Sequence, residues 1–244
     1  MSGGNVAGEV LRVGRAVHRR AGPWTPAVHD LLRHLERAGF GGAPRALGTD
    51  EDGREVLTYV PGEVAHPRVL EDTELARVAE VIREYQTAAA SFTSVPDAVW
   101  HTDGQDPSGA HEVVCHNDLA PWNLVIGDRG ELVFIDWDLA APGRRLWDVA
   151  LAACTFVPLY PSAARQRERF RVFCDAYPLP PKDRVELLDV AVQRIGRMWR
   201  VLVDNADREP YASLARDGHT EFWQRVERHV RDQAVTWREM LKAG

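Results

Sequence analysis

Apolar positions in the opening third of the chain recur at short intervals in "GEVLRVG" and "RAVHRR", a spacing that predicts two strands. After the Pro-rich break "GPWTP", the segment "AVHDLLRHLERAGF" sets Val28, Leu31, Leu32 and Leu35 on one helical face and stops at Gly39. "REVLTYVPGE" reads as a strand that ends where Pro61 and Gly62 break it. Together these predict a small α+β unit of about sixty residues. Beyond it, "DTELARVAEVIREYQTAAASF" carries Leu75, Val78, Ala79, Ile82 and Tyr85 at helical spacing, with Asp72 or Thr73 placed to cap the start. "SVPDAVWHTDGQDPSGAH" reads as a loop. The apolar run "EVVC" then leads through "HNDLAPWN" into "NLVIGDRGELVFIDWD", which predicts a hairpin turning at Asp128 to Gly130. From Leu146 onward the pattern predicts at least three more helices. Leu188, Ala191, Ile195, Met198, Trp199 and Leu202 mark one, and Phe222, Val226, Val230, Trp237 and Leu241 mark the last.

Composition narrows the picture. With 244 residues and 45% apolar content the chain can build a sizeable core. Its net charge of −6 provides no overall cationic field for nucleic acid or an anionic membrane. Cys115, Cys154 and Cys174 are widely spaced and form no CxxC pair, which reads as thiols in a reducing compartment. No apolar stretch reaches membrane-spanning length, and "MSGGNVAGEV" lacks the basic and apolar regions of a signal peptide, so a cytoplasmic protein is expected. The only lysines are Lys182 and Lys242; every other basic residue is arginine.

The octet "HNDLAPWN" concentrates the candidate chemistry. A strand running into His116, Asn117 and Asp118 delivers those side chains to a sheet edge, where a rigid base supports loop chemistry. If the hairpin forms, Asn123 begins one strand and Asp136 ends its antiparallel partner, so the two lie at the same end. An asparagine oxygen beside a carboxylate suits magnesium, which takes few protein ligands and completes its shell with water and phosphate. Asp118, on the same edge, is placed to accept a proton. These are the needs of phosphoryl transfer, in which catalysis is mainly positioning and charge neutralisation. His116 reads as a brace for the loop.

At these residues the sequence resembles the aminoglycoside phosphotransferase and choline kinase family. "HNDLAPWN" is similar to the family's catalytic loop, "FIDWD" to its metal-binding segment, and "RRLWDVA" to the start of a buried helix, where Asp148 is architectural. The resemblance implies an α+β, protein-kinase-like fold: an N-terminal β-rich nucleotide-binding lobe with one helix over 1–62, and a larger, mainly helical catalytic lobe over 63–244. It implies Asp118 as the base, Asn123 and Asp136 as magnesium ligands, and ATP or GTP as donor. It also implies that Ser2, Gly3, Gly4 and Asn5 cover the phosphates, and that Thr58, Tyr59 and Val60 meet adenine through the backbone.

The sequence departs from that pattern in two places. The family's third-strand lysine, normally paired with a helix glutamate, has no counterpart, so an arginine of "HRR" must replace it, Arg19 in preference to Arg20. The following helix has His29 or Asp30 where the glutamate belongs, with Glu36 further along. The chain also begins almost at its glycine segment, which implies either a missing first strand or a start further upstream.

The expected activity is transfer of phosphate to an alcohol group of an antibiotic, aminoglycoside-like, or of a small metabolite, cationic acceptors included. The segment from Asp136 to Asp148 is too short for a long activation loop, and Asn117 stands where protein kinases use arginine, which disfavours a protein acceptor. Asp138, Asp204, Asp207, Glu209 and Glu221 are candidates to meet an amine, and Trp137, Trp199 and Trp223 to line the acceptor site. The competing expectation is a kinase-like binding protein that confers immunity by sequestering a small ligand.

Overall fold

The structure, a computed structural model, describes residues 10–242. Two compact units divide the chain: residues 10–68 with 83–143, and residues 69–82 with 144–242. This division differs from a cut after Gly62, because the loop-and-hairpin region up to Gly143 packs with the opening strands.

In the first unit, β1 (Leu11–Val13) and β2 (Ala16–Arg19) form a tight hairpin, with Gly14 at φ +60° in the turn. α1 (Thr25–Arg37) follows, then β3 (Ala46–Thr49) and β4 (Glu55–Thr58), completing an antiparallel sheet in the order β1-β2-β4-β3. Pro26 fits the first turn of α1, where a missing N–H costs nothing, and Val28, Leu31, Leu32 and Leu35 are fully buried. Burying side chains of this size is worth about 2 kcal/mol each, so the amphipathic stripe is what fixes the helix in place. β3 escapes the hydrophobic pattern because "ALGT" is short and interrupted by a glycine.

β5 (Glu63–Val64) joins β7 (Leu124–Ile126) and β8 (Leu132–Phe134) in a second sheet ordered β5-β7-β8. Gly62, at φ +136°, lets the chain pass there, since a Cβ would lie 2.3 Å from the Ile126 carbonyl oxygen. β7 and β8 form the predicted hairpin in the register Leu124↔Phe134, Val125↔Val133 and Ile126↔Leu132. β6 (Val113–Cys115) pairs with β9 (Ala141–Gly143), whose sequence "APG" has no strand signature of its own.

α2 (Asp72–Ala89) passes from the second unit into the first. Its start is tied by Glu74, whose carboxylate accepts from the Glu71 amide at 2.9 Å. Asp72 instead accepts from Arg165 at 2.7 Å and Arg169 at 3.0 Å, all within the second unit. That unit is helical: α3 (Arg145–Phe156), α4 (Gln166–Ala176), α5 (Pro181–Asp204), α6 (Tyr211–Arg216) and α7 (His219–Lys242). α5 packs on both α3 and α7, and α3 is buried from Leu146 to Phe156. No helix among the described residues is long and apolar enough to cross a membrane. All three cysteines are buried free thiols.

Candidate active site

Buried β6 runs directly into His116, Asn117 and Asp118. Asn117 takes φ +65°, a left-handed conformation that asparagine tolerates better than most residues, and its Nδ2 donates to the Leu139 carbonyl at 2.8 Å. A 3₁₀ turn, Pro121–Asn123, then carries the chain into β7. Across the hairpin the Ile135 amide donates to the Asn123 carbonyl at 2.8 Å, so Asn123 and the neighbour of Ile135, Asp136, stand at the same end. Asp136 has φ +63°, and local strain of this kind concentrates where a side chain must be aimed.

Hydrogen bonds fix each member of the octet. The His116 ring is fully buried against Trp137, centroids 4.5 Å apart. Its Nε2 lies 3.1 Å from the Ile135 carbonyl, and the Asp118 amide donates to its Nδ1 at 3.2 Å. Burial pushes the imidazole pKa down to about 4, against smaller upward pulls from Asp136 and the Ile135 carbonyl, so the ring stays neutral with Nε2 protonated. Asp118 remains partly exposed, and its Oδ2 accepts from Asn123 Nδ2 at 2.6 Å and Trp122 Nε1 at 3.2 Å. Asn123 Nδ2 also reaches the Asp118 carbonyl at 3.1 Å. With its amide nitrogen committed to Asp118, the planar carboxamide turns its oxygen the other way.

Arg19 and Arg20 are distinguished by burial: Arg19 is buried and Arg20 exposed. Arg19 Nη1 donates to Asp136 Oδ1 at 2.9 Å and Nη2 to Asp138 Oδ1 at 2.6 Å. Its Nε lies 2.5 Å from Glu55 Oε1, and His29 Nε2 sits 3.1 Å from Glu55 Oε2. Burial alone would ease the proton off this guanidinium, but the charges of Asp138, Asp136 and Glu55 outweigh it and hold the pKa above its ordinary value. Asp138 is pushed up to about 6, first by burial and then by Asp136 and Glu55, while Arg19 opposes the rise. The helix that follows β2 therefore contributes a histidine, not a carboxylate. Glu55 lies outside that helix, and only the β2–β4 register brings it opposite Arg19.

The remaining predicted positions divide. Ser2, Gly3, Gly4 and Asn5 lie outside the described residues. The amides of Thr58 and Tyr59 are committed within the sheet region, to the Arg45 carbonyl at 3.0 Å and the Arg15 carbonyl at 2.8 Å. Neither is open as a donor to adenine, which leaves Val60 as the remaining amide of the three. The Arg12 guanidinium lies 3.6 Å above the Tyr59 ring, a cation–π contact. Asp148 is fully buried in the first turn of α3. Trp137 and Trp223 are core side chains, and Trp137 donates to the Phe134 carbonyl at 2.8 Å. Trp199 donates to Glu227 at 2.6 Å.

The donor set suits a hard divalent cation of the magnesium kind. Asp136 and the Asn123 amide oxygen are hard ligands, and three carboxylates face one guanidinium, an excess of negative charge. Among the described residues no group of three or more His, Cys, Asp or Glu side chains is arranged to hold an ion alone. An ion here would rely on water and phosphate for most of its shell, as magnesium does.

The chain is similar to known proteins in both sequence and fold. A sequence model of the phosphotransferase enzyme family matches residues 97–188, the stretch that contains the octet and Asp136. The chain is 30% identical over 246 residues to the trifolitoxin immunity protein of Rhizobium leguminosarum bv. trifolii, covering 93% of this chain and 94% of that one. Among solved structures, a choline/ethanolamine kinase family protein from Mesorhizobium loti is similar at TM-score 0.59 and 15% identity, over 99% of this chain and 91% of the other. An amicoumacin kinase, in complex with AMP-PNP and Ca2+, is similar at TM-score 0.66 and 11% identity, over 92% and 88%. The fold is therefore that of the protein-kinase-like phosphotransferases, and the chain belongs to the phosphotransferase enzyme family.

Proposed function

We propose that this protein is a small-molecule kinase that transfers the γ-phosphoryl group of ATP or GTP to a hydroxyl of an antibiotic-like compound or small metabolite. The observation that carries the reading is the joined pair Asp118–Asn123 at the hairpin end occupied by Asp136, with the Arg19 fork on Asp136. Asp118 orients the acceptor hydroxyl and takes its proton as the oxygen–phosphorus bond forms and the bond to the departing nucleoside diphosphate breaks. Asn123 and Asp136 would hold magnesium, which when bound neutralises charge on the phosphate oxygens. Arg19 supplies a second positive charge to the phosphates in place of lysine. His116, neutral and bonded at both nitrogens, keeps the loop in shape and moves no proton.

The short passage from Asp136 to the start of α3 and the asparagine at position 117 favour a small acceptor over a protein. The acidic chain, at net charge −6, favours neutral or cationic acceptors over anionic ones. Dependence on ATP or GTP suits a cytoplasmic location. The immunity name of the 30%-identical relative and the antibiotic named for the amicoumacin kinase support inactivation of a toxic compound as the purpose. The immunity name also supports a second reading, protection by binding alone.

The test is to incubate the protein with magnesium, γ-labelled ATP or GTP, and a panel of aminoglycosides, peptide antibiotics, choline-like amines and sugars. Label on an acceptor supports the kinase. Tight binding of a panel member, with no transfer to any of them, would support protection by binding.

A further inference from the structure

We propose that Glu55, on β4, is the positioning residue that aims Arg19 at the nucleotide phosphates, with His29 of α1 as its brace; the proposal rests on the kinase reading above. The strand register starts the argument. Arg19 and Glu55 are direct partners across β2 and β4, and residues directly opposite on neighbouring strands project to the same face. The contact is therefore built into the sheet and does not depend on where α1 sits.

Burial makes the pairing obligatory. Glu55 is 1% exposed, and a carboxylate removed from water is tolerated only when an opposite charge is paired with it. The two oxygens are divided: Oε1 faces Arg19 Nε at 2.5 Å, and Oε2 meets His29 Nε2 at 3.1 Å. His29 is itself buried, so the brace is as enclosed as the residue it holds.

Guanidinium geometry explains why arginine and this glutamate belong together. A lysine has one charged end, so whatever anchors it competes with phosphate for the same ammonium. Arginine can be tethered through Nε while the fork of Nη1 and Nη2 stays available on another edge. In this chain that fork is turned to Asp136 and Asp138, the side on which a metal-bound phosphate would arrive. Replacement of lysine by Arg19 thus accompanies a move of the anchoring carboxylate from the helix to β4, and His29 fills the helix position left behind.

The test measures binding of the magnesium complex of a non-hydrolysable imido analogue of ATP or GTP, beside the corresponding nucleoside, which lacks phosphates. Glu55→Gln should weaken the triphosphate analogue roughly tenfold to a hundredfold, as expected for loss of one charge of a buried ion pair, and leave the nucleoside within about twofold. In an Arg19→Ala background the same change should have no further effect on the analogue. Equal weakening of analogue and nucleoside would mean a purely structural role and overturn the proposal, as would unchanged binding of both. If Glu55→Gln does not fold, Glu55→Asp, which keeps the charge and shortens the reach, is held to the same comparison. A wild-type protein that binds the nucleoside and analogue equally weakly would overturn the kinase reading itself, and this proposal with it.

Discussion

Asn123 donates its side-chain amide to Asp118 Oδ2 at 2.6 Å, which joins the candidate metal ligand to the candidate base. One residue therefore holds the carboxylate in place and turns its own oxygen the other way. Asn123→Ala removes both contributions. Transfer should fall by about a hundredfold or more. Thermal unfolding should show a loss of about 1–2 kcal/mol, the cost of removing a buried hydrogen bond to a charged group. A rate within a fewfold of wild type would separate Asn123 from the chemistry.

Asp136 follows the partner strand at the same end of the hairpin as Asn123 and shares the Arg19 fork with Asp138. Asp136→Ala should abolish magnesium-dependent nucleotide binding while leaving weak, magnesium-independent nucleoside binding in place. Titration calorimetry with and without magnesium reads both. Normal magnesium-dependent binding by the variant would misplace the metal site.

His116 gives the fold a defined acid sensitivity. Its pKa is about 4 in the folded protein against an ordinary value of 6.5, so between those limits the unfolded chain binds the extra proton. The contribution of this group is complete above pH 6.5 and is lost as pH falls toward 4, on the order of 2–3 kcal/mol across the window. Denaturant melts from pH 7 to pH 4 should show that slope in the wild type, and a flatter one in His116→Asn. Parallel slopes would mean the ring is not held neutral.

Gly104 supports the octet from the preceding loop. A Cβ at that position would lie 2.9 Å from Asn117 Cβ, closer than side chains pack. Because Asn117 is itself buried and in a left-handed conformation, it has little room to yield. Gly104→Ala should destabilise the protein by about 1–3 kcal/mol and lower transfer more than nucleotide binding. Unchanged stability and rate would show that the loop can move aside.

Much of this arrangement is legible in the sequence, and the parts that are not share a cause. α1, α2 and the β7–β8 hairpin announce themselves through local periodicity and turn residues, and the motif spacing suffices to set Asp118, Asn123 and Asp136 at one end of the hairpin. β3, β5 and β9 are too short, or too rich in Gly and Pro, to carry a pattern, and become strands only through distant partners. Glu55 and Asp138 follow the same rule: each meets Arg19 through tertiary pairing, Asp138 from 119 positions further along the chain. His29 stands at the helix position where the pattern predicts a carboxylate, and its Nε2 meets Glu55 on β4 instead. The Thr58 and Tyr59 amides look free in sequence, and only the sheet partners use them up.

The most direct measurement is the rate of γ-phosphoryl transfer by Asp118→Asn beside wild type, with the nucleotide Kd measured on both proteins. A general base at Asp118 predicts a fall in kcat of about 10²- to 10⁴-fold with the nucleotide Kd within about twofold. Transfer by Asp118→Asn at the wild-type rate would contradict the account.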